Sequence, residues 1–263
     1  MSTSDDTGPG GERLSKRMAA LGLASRREAD EWIAAGWVRV DGKPAVLGLR
    51  VGPDARIDID PRARREQAQR MTVLLHKPVG YEAGLGDGHG PQGSRSRGAP
   101  PAMQLLTPAA HAGDDASGIR VLQKHFANLK ALVPLPTEAS GLVVFTQDWR
   151  VQRKLEEDIA TMEHELLVDV AGEVSPDALT PILRALKDER RPLPAAKVSV
   201  NSSTPEGSRL RFAIKGAHPG LAAHLCALAG LDIRAMRRTR LGRVALSDLP
   251  VGQWRYLAGH ERF

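Results

Sequence analysis

The sequence predicts an α+β protein with a small N-terminal αα–β domain and a larger domain built on a mostly antiparallel mixed sheet. Helical and strand-like segments are mixed without a regular βαβ repeat, which favours this fold class. The chain has 263 residues and is 41% hydrophobic, enough for one or two domains with apolar cores. A charged stretch, residues 61–70, is the predicted linker between the domains.

The N-terminal domain is predicted over residues 12–60, after a polar, Gly-rich tail at residues 1–11 that we expect to be disordered. "RLSKRMAALG" has apolar residues at helical spacing. "SRREADEWIAAG" begins with Ser25 as predicted N-cap and has Glu28 at the third helical position, a capping-box arrangement. "WVRVDGKPAV" predicts a hairpin with a tight Asp-Gly turn, and "DARIDID" predicts one more strand.

The larger domain is predicted over residues 71–258, followed by a short tail at residues 259–263. Residues 84–101 are rich in Gly, Pro, Ser and Arg, and we expect a flexible surface insertion there. Strands are predicted in "MTVLLHKPVGY", "GLVVFT", "HELLVDVAGEV", "AKVSVNSS" and "SRLRFAIKG", and in parts of the C-terminal segment. Helices are predicted in "DWRVQRKLEEDIATM", "SPDALTPILRALKD" and "PGLAAHLCALAG".

Charge and composition narrow the class of partner. The formal net charge is +6 and the arginines are clustered, which favours a polyanion, nucleic acid first and a membrane surface second. No apolar run approaches the roughly 20 residues that span a bilayer. The N-terminus resembles neither a signal peptide nor a transit segment, so we expect a cytoplasmic protein.

Cysteine and histidine usage predicts no metal site. The single cysteine, Cys226, lies in an apolar run, which excludes an intramolecular disulfide and multi-cysteine zinc patterns; we expect a core residue. Four histidines are too scattered to form a predicted metal site, and we expect them at the surface or lining a cleft. These are His76, His164, His218 and His224.

Basic side chains cluster on or beside the two N-terminal helical segments. Cationic donors close to helix N-termini suit phosphate groups. "RLSKRMAALGLASRREADEWIAAGWVRVDGK" resembles the S4-type RNA-binding domain, which implies recognition of folded RNA through its shape and phosphates. The candidate RNA-binding residues here are Arg13, Lys16, Arg17, Ser25, Arg26, Arg27 and Arg39.

Segments of the larger domain resemble those of the S4-linked bacterial rRNA pseudouridine synthases. "LLHKPVGY" is similar to their Leu-Asn-Lys-Pro-x-Gly motif, with His76 at the asparagine. "RAMRRTRLGRVALSDLPVGQWRYL" is similar to their C-terminal Arg-x-Arg-x-Gly segment. The resemblance implies their fold and a reaction without a cofactor, in which an aspartate attacks a flipped-out uridine and isomerises it to pseudouridine.

The loop that would carry this aspartate departs from the family pattern. Aligned through Gly141-Leu142, the Gly-Arg-Leu-Asp motif falls on residues 133–136, and Pro136 stands at the aspartate. Glu138, two residues further on, is a candidate substitute; the alternative is a solvated loop acid. Asp148 is placed worse, beyond the far end of the following strand.

Two other family positions also differ. "HELLV" puts His164 at the family's lysine and Leu166 at its tyrosine. "HPGLAAHL" replaces the basic residues of a third motif by Gly220, Ala222 and Ala223. Three parts of one site are therefore missing together, which predicts that the isomerase activity has been lost.

We therefore expect a protein that binds structured RNA, with rRNA or a ribosomal precursor as partner, and that needs no metal, cofactor or membrane; a monomer is the default. Basic side chains of the C-terminal segment, which includes Arg234 and Arg243, would line its RNA face, although alternate strand positions cannot all face RNA. Candidates in the larger domain are Lys77, Arg237, Arg238 and Arg240.

Two alternatives stay open. One is an active rRNA pseudouridine synthase with an atypical catalytic site. The other is an assembly or interaction factor whose cleft binds protein.

Overall fold

The computed structural model describes residues 11–63, 70–84 and 98–263. The chain forms two compact units, Met1–Arg70 and Met71–Phe263. The predicted tail, linker and surface insertion fall mostly on residues 1–10, 64–69 and 85–97, which lie outside the described residues. Over the described ranges, no helix is long and apolar enough to cross a membrane.

Among its described elements the first unit contains two short helices and five short strands, and residues 61–63 are also helical. Strand β2 (Val38–Val40) pairs antiparallel with β3 (Lys43–Pro44) and β5 (Ile57–Ile59), and β1 (Glu12–Arg13) pairs antiparallel with β4 (Arg50–Val51). The sequence did not predict β1 and β4, because strands of two residues have no readable periodicity. The helices are α1 (Leu14–Ala20) and α2 (Arg26–Ala34).

The predicted capping box at the start of α2 is confirmed. The Ser25 hydroxyl oxygen accepts a hydrogen bond from the Glu28 amide at 3.1 Å. The Ser25 amide in turn donates to a Glu28 carboxylate oxygen at 3.0 Å. The turn between β2 and β3 is also as predicted, because Asp41 (φ 50°) and Gly42 (φ 80°) both adopt the left-handed conformation of a type I′ hairpin.

The second unit consists of one large sheet and three helices among the described elements. The sequence predicted one helix from Ser175 onwards, but a 3₁₀ turn, Pro176–Leu179, precedes α4. The strands are β6 (Thr72–Lys77), β7 (Lys130–Leu132), β8 (Ser140–Thr146), β9 (Glu163–Ala171), β10 (Ala196–Thr204), β11 (Gly207–Lys215), β12 (Ile233–Leu241), β13 (Val244–Ala245) and β14 (Trp254–Tyr256). The helices are α3 (Trp149–Asp158), α4 (Thr180–Leu186) and α5 (Leu221–Leu228).

The sheet has the order β10-β11-β9-β12-β8-β6-β14, with β13 added to β12 and β7 to β8. The β12–β8 pair is parallel and the other described pairs are antiparallel. This confirms the α+β class and the mostly antiparallel mixed sheet. Apolar clusters lie on both faces, so β6 is buried along its whole length.

Cys226 is a core residue of α5, as predicted, and burial raises the pKa of its thiol to about 11. His76 corrects the expectation of a surface or cleft histidine. It is buried in β6 with Nδ1 2.6 Å from the Leu249 carbonyl oxygen, since both faces of the sheet are covered there. His224, in contrast, is exposed on α5.

Candidate functional site

A pocket lies where the loop between β7 and β8 meets β9, β12 and the N-terminus of α5. The three segments at which the sequence departs from the family pattern all contribute to it. The enclosed space is about 20 Å³, roughly the room that one water molecule occupies. Its lining consists of Val133, Pro134, Leu135, Pro136, Ala139, His164, Leu166, Ala217, His218, Pro219, Gly220, Ala222, Ala223, Met236 and Arg238.

The loop is held in an unusual conformation at its start. Val133 has φ 55°, a left-handed value that a β-branched residue rarely adopts. In the sequence alignment Val133 stands at the glycine of the Gly-Arg-Leu-Asp motif, and glycine adopts such a φ without strain. Such strain costs on the order of 1–3 kcal/mol and persists where the surroundings impose it.

Gly141 sets how closely the loop's strand approaches β12. It has φ 116°, and a Cβ atom built there would overlap the backbone of Arg238. The overlap occurs at the parallel contact, where Gly141 is the register partner of Arg238. The Gly141-Leu142 pair on which the sequence alignment rests is therefore also a packing requirement.

Arg238 fixes the loop from inside the protein. Its side chain is 1% exposed and donates to the carbonyl oxygens of Leu142 (2.7 Å), Val133 (2.9 Å) and Pro134 (3.2 Å). No carboxylate in the described ranges forms an ion pair with it, and burial lowers the pKa of its guanidinium to about 9. Arg238 was predicted to contact RNA from the protein surface; the structure places its side chain inside the protein, in the pocket lining.

Lys77 is a second buried cation beside the same loop. It is 0% exposed, and its Nζ donates to the carbonyl oxygens of Tyr81 (2.9 Å), Pro78 (3.0 Å) and Thr137 (3.4 Å). Burial, and then the charge of Arg238, lower its pKa to about 8. Lys77 was also predicted to contact RNA; the structure places it inside the protein, with its Nζ donating to backbone carbonyl oxygens.

Besides Arg238, the polar side chains that line the pocket are those of two histidines. His164 is 4% exposed, and its Nδ1 has no hydrogen-bond partner among the described residues. Burial, followed by the charges of Arg238, His218 and Arg240, lowers its pKa to about 3, so His164 is neutral at pH 7. His218 is exposed at the rim, and its ring lies where a side chain on Gly216 would be.

Carboxylates are absent from the lining that the structure describes, where Pro136 and Leu166 stand at the family's aspartate and tyrosine. Glu138 is exposed and lies outside this lining. Asp148 caps α3 by accepting the Arg150 amide at 2.9 Å. No group of three or more metal-binding side chains occurs within the described residues.

The other candidate residues on β12 differ in how accessible they are. Arg237 is exposed and forms no ion pair with a described residue. Arg240 is paired with Glu163 at 2.6 Å, and Arg234 with Asp232 at 3.2 Å. A register shift between Arg238 and Arg240 interrupts the strand alternation, which the sequence does not reveal.

The basic residues of the first unit lie mostly at its surface. Arg17 donates to the Pro53 carbonyl oxygen at 2.7 Å, and the Ser25 hydroxyl is engaged in the capping box. Lys16 pairs with Glu12 at 3.6 Å and Arg27 with Glu31 at 3.3 Å. Three exposed arginines make no ion pair with any residue that the structure describes: Arg13, Arg26 and Arg39.

Sequence reasoning did not anticipate that Met236, Ala217 and Arg238 line this pocket, or that Lys77 is buried beside its loop. The one available signal was the alternation along β9, where buried and partly exposed residues follow each other. His164 and Leu166 share the buried face of that strand, and Arg238 is the register partner of Leu166 on β12. Knowing this register would have placed Arg238 inside.

Comparison with known proteins gives the same assignment for both units. Residues 12–57 match the S4 domain family. "Ribosomal large subunit pseudouridine synthase B" of Pseudomonas aeruginosa is 29% identical over 263 residues, covering 96% of this chain but 61% of that protein. "Uncharacterized RNA pseudouridine synthase Mb1738" of Mycobacterium bovis is 27% identical over 256 residues, covering 96% of this chain and 92% of that protein.

Further similarities agree. "Dual-specificity RNA pseudouridine synthase RluF" of Escherichia coli K12 is 24% identical over 257 residues, covering 95% of this chain and 76% of that protein. A solved pseudouridylate synthase shares the fold, with a TM-score of 0.55 at 19% identity over 94% of this chain and 96% of the other. The chain is thus similar over nearly its whole length to pseudouridine synthases, and its first unit matches the S4 domain family.

Proposed function

We propose that this protein binds structured RNA, with rRNA or a ribosomal precursor as its target, and that it has lost uridine isomerisation. The observation that carries the second part is the composition of the pocket. Its described lining contains no carboxylate, hydroxyl or thiol group. The family's attack on the nucleotide needs a carboxylate at position 136, and the nucleophilic imidazoles of the lining, His164 and His218, lie on other segments.

The cations around the pocket do not replace the missing nucleophile. Arg238 and Lys77 direct their donors to backbone carbonyl oxygens. Arginine also stays protonated under ordinary conditions. These two side chains support the loop's shape, and the Lys77 amine, which is held by three carbonyl oxygens, does not line the pocket.

RNA binding is supported by the first unit and by the names of the relatives. Arg13, Arg26 and Arg39 are exposed, and Arg26 is the first residue of α2. A cation there adds to the positive N-terminal end of the helix, so a phosphate would meet both. Arg237 offers a further exposed cation in the second unit.

The test of lost catalysis is a map of pseudouridines in rRNA from wild-type and deletion strains. We expect identical maps. The relatives' names favour the rival, an active synthase with an atypical site. A pseudouridine lost on deletion and restored by the wild-type gene, but not by a Glu138→Gln gene, would establish that rival.

The test of RNA binding compares two variants, each of which loses two neighbouring arginines. We expect Arg26→Ala plus Arg27→Ala to weaken binding of an rRNA hairpin and to reduce the slope of log K against log salt by about 1 for each lost phosphate contact. Arg190→Ala plus Arg191→Ala removes the same charge from exposed positions outside the candidate set and is the control. Equal losses in both variants would contradict a specific role for the first unit.

A further inference from the structure

We propose that the pocket beside residues 133–139 binds a phosphate group. This inference goes beyond the proposed function, because it assigns a ligand class to the pocket whether or not RNA supplies the phosphate. Three independent sources of N–H donors converge on the pocket, and its described lining contains no Asp or Glu.

The first source is Arg238. A guanidinium has five N–H donors, and hydrogen bonds to the carbonyl oxygens of Leu142, Val133 and Pro134 use three of them. The carbonyl groups do not neutralise its charge, and no described carboxylate is paired with it. A buried cation without a counterion is unfavourable. An anion that enters the pocket would therefore be stabilised by the unpaired charge of Arg238.

The second source is the N-terminus of α5, an eight-residue helix whose first turn faces the pocket. The Leu221 amide donates to His218 and the His224 amide to Gly220. The amides of Ala222 and Ala223 have no backbone acceptor among the described residues outside the helix. These free N–H groups and the helix dipole favour an anion at this point.

The third source is His164. Its ring is 96% shielded from solvent, being 4% exposed, and its Nδ1 has no partner in the described part of the chain. An unpaired buried nitrogen is unfavourable, and donation to an anion would satisfy it. His218 stands at the rim and adds a further imidazole donor where the pocket opens.

The size of the pocket selects a small group. About 20 Å³ admits one oxygen-sized atom and not a nucleobase. A phosphate fits because one of its oxygens enters while the remainder stays at the mouth near His218. Free phosphate and an RNA phosphate share this chemistry.

The experiment follows the imidazole signals of ¹³C-histidine-labelled full-length protein by NMR during titration with inorganic phosphate. Sodium chloride at equal ionic strength is the control, and His164→Leu assigns the buried ring. We expect a saturable shift of the His164 signal and a rise of its pKa, with phosphate Kd increased at least tenfold by His218→Ala. His224→Ala, on the same helix but outside the pocket, should leave the Kd unchanged.

Two further experiments test whether RNA supplies the phosphate and whether the phosphate binds in this pocket. If an rRNA hairpin in phosphate-free buffer shifts the same signals and inorganic phosphate reverses the shift, RNA is a source. Pro136→Asp places a carboxylate in the lining and should weaken phosphate binding at least tenfold. Equal responses to chloride and phosphate, or no response to phosphate and to RNA, would overturn the proposal. Loss of RNA binding in the Arg26 and Arg27 double variant is a separate result and would still support the proposed function.

Discussion

The two units of this protein use cationic side chains in opposite ways. In the first unit Arg13, Arg26 and Arg39 are exposed and make no ion pair with a described residue. In the second unit Arg238 and Lys77 are buried and hold backbone carbonyl oxygens of the pocket loop and its surroundings. Residue type alone therefore does not show whether a cation of a basic protein lies at the surface or supports the interior.

The contrast also occurs between neighbours on one strand. Arg237 and Arg238 follow each other on β12, and successive side chains of a strand point to opposite faces. Arg237 is exposed and Arg238 is 1% exposed. This pair offers the sharpest way to test the difference in role.

Arg238→Met should give the largest effect. It leaves three carbonyl oxygens without their donor, and each unsatisfied buried group costs about 1–3 kcal/mol. Removing the buried charge offsets part of this, so we expect the free energy of unfolding to fall by about 4 kcal/mol in urea titrations. Arg237→Met should change it by less than about 0.5 kcal/mol. Similar losses in the two variants would refute the assigned roles.

Gly141→Ala tests the backbone contact behind Arg238. Alanine would have to adopt φ 116° and would overlap the backbone of β12, so we expect a loss of about 3 kcal/mol. Gly172→Ala is the matched control, since Gly172 also has positive φ (72°) but nothing within 4 Å of the added Cβ. We expect Gly172→Ala to lower the free energy of unfolding by about 1 kcal/mol, the cost of the positive φ alone. If the two variants lost the same free energy of unfolding, β8 and β12 would be able to move apart at Gly141 without cost.

Lys77 should make stability depend on pH in the alkaline range. The pKa of Lys77 is about 8 in the folded protein and has its ordinary value of 10.5 in the unfolded chain, so the unfolded chain binds more protons between these values. Stability therefore rises as pH rises through this window. Between pH 8 and 9.5 we expect a gain of about 1.5 kcal/mol that Lys77→Met abolishes. Lys16→Met, which changes a partly exposed lysine of the first unit, should retain the gain; if it does not, another group is responsible.

The sequence predicted the parts of the fold that depend on local chemistry. The capping box of α2, the Asp41-Gly42 turn and the helical and strand segments follow from capping, left-handed turn residues and periodicity. The motif alignment also identified the segments that converge on the pocket. These features need no knowledge of distant partners.

The interior of the site depends on contacts between distant segments, and these the sequence did not reveal. β6 is buried on both faces, so it has no alternation that could mark Lys77 or His76 as internal. Arg238 lies inside because of the register of β12 against β9 and β8, which joins residues far apart in the chain. The 3₁₀ turns between residues 102 and 126 were also missed, since they are too short to show a period.

Ser25 provides the smallest and most specific test of the exposed cluster. It was predicted as an RNA ligand, yet its hydroxyl accepts the Glu28 amide at 3.1 Å in the capping box. We expect Ser25→Ala to lower the free energy of unfolding by about 1 kcal/mol and to change RNA affinity less than about threefold.

Ser25→Asp keeps an N-cap but adds a negative charge. It therefore separates the effect of capping on stability from the effect of charge on RNA binding. Aspartate is as good an N-cap as serine, so stability should be close to that of the wild type. Its carboxylate would lie next to Arg26 and Arg27 and repel phosphate, so RNA affinity should fall more than it does in Ser25→Ala. If Ser25→Ala instead lost RNA affinity tenfold at unchanged stability, the hydroxyl would be an RNA contact. RNA recognition would then involve Ser25, the N-cap of α2, as well as the arginines.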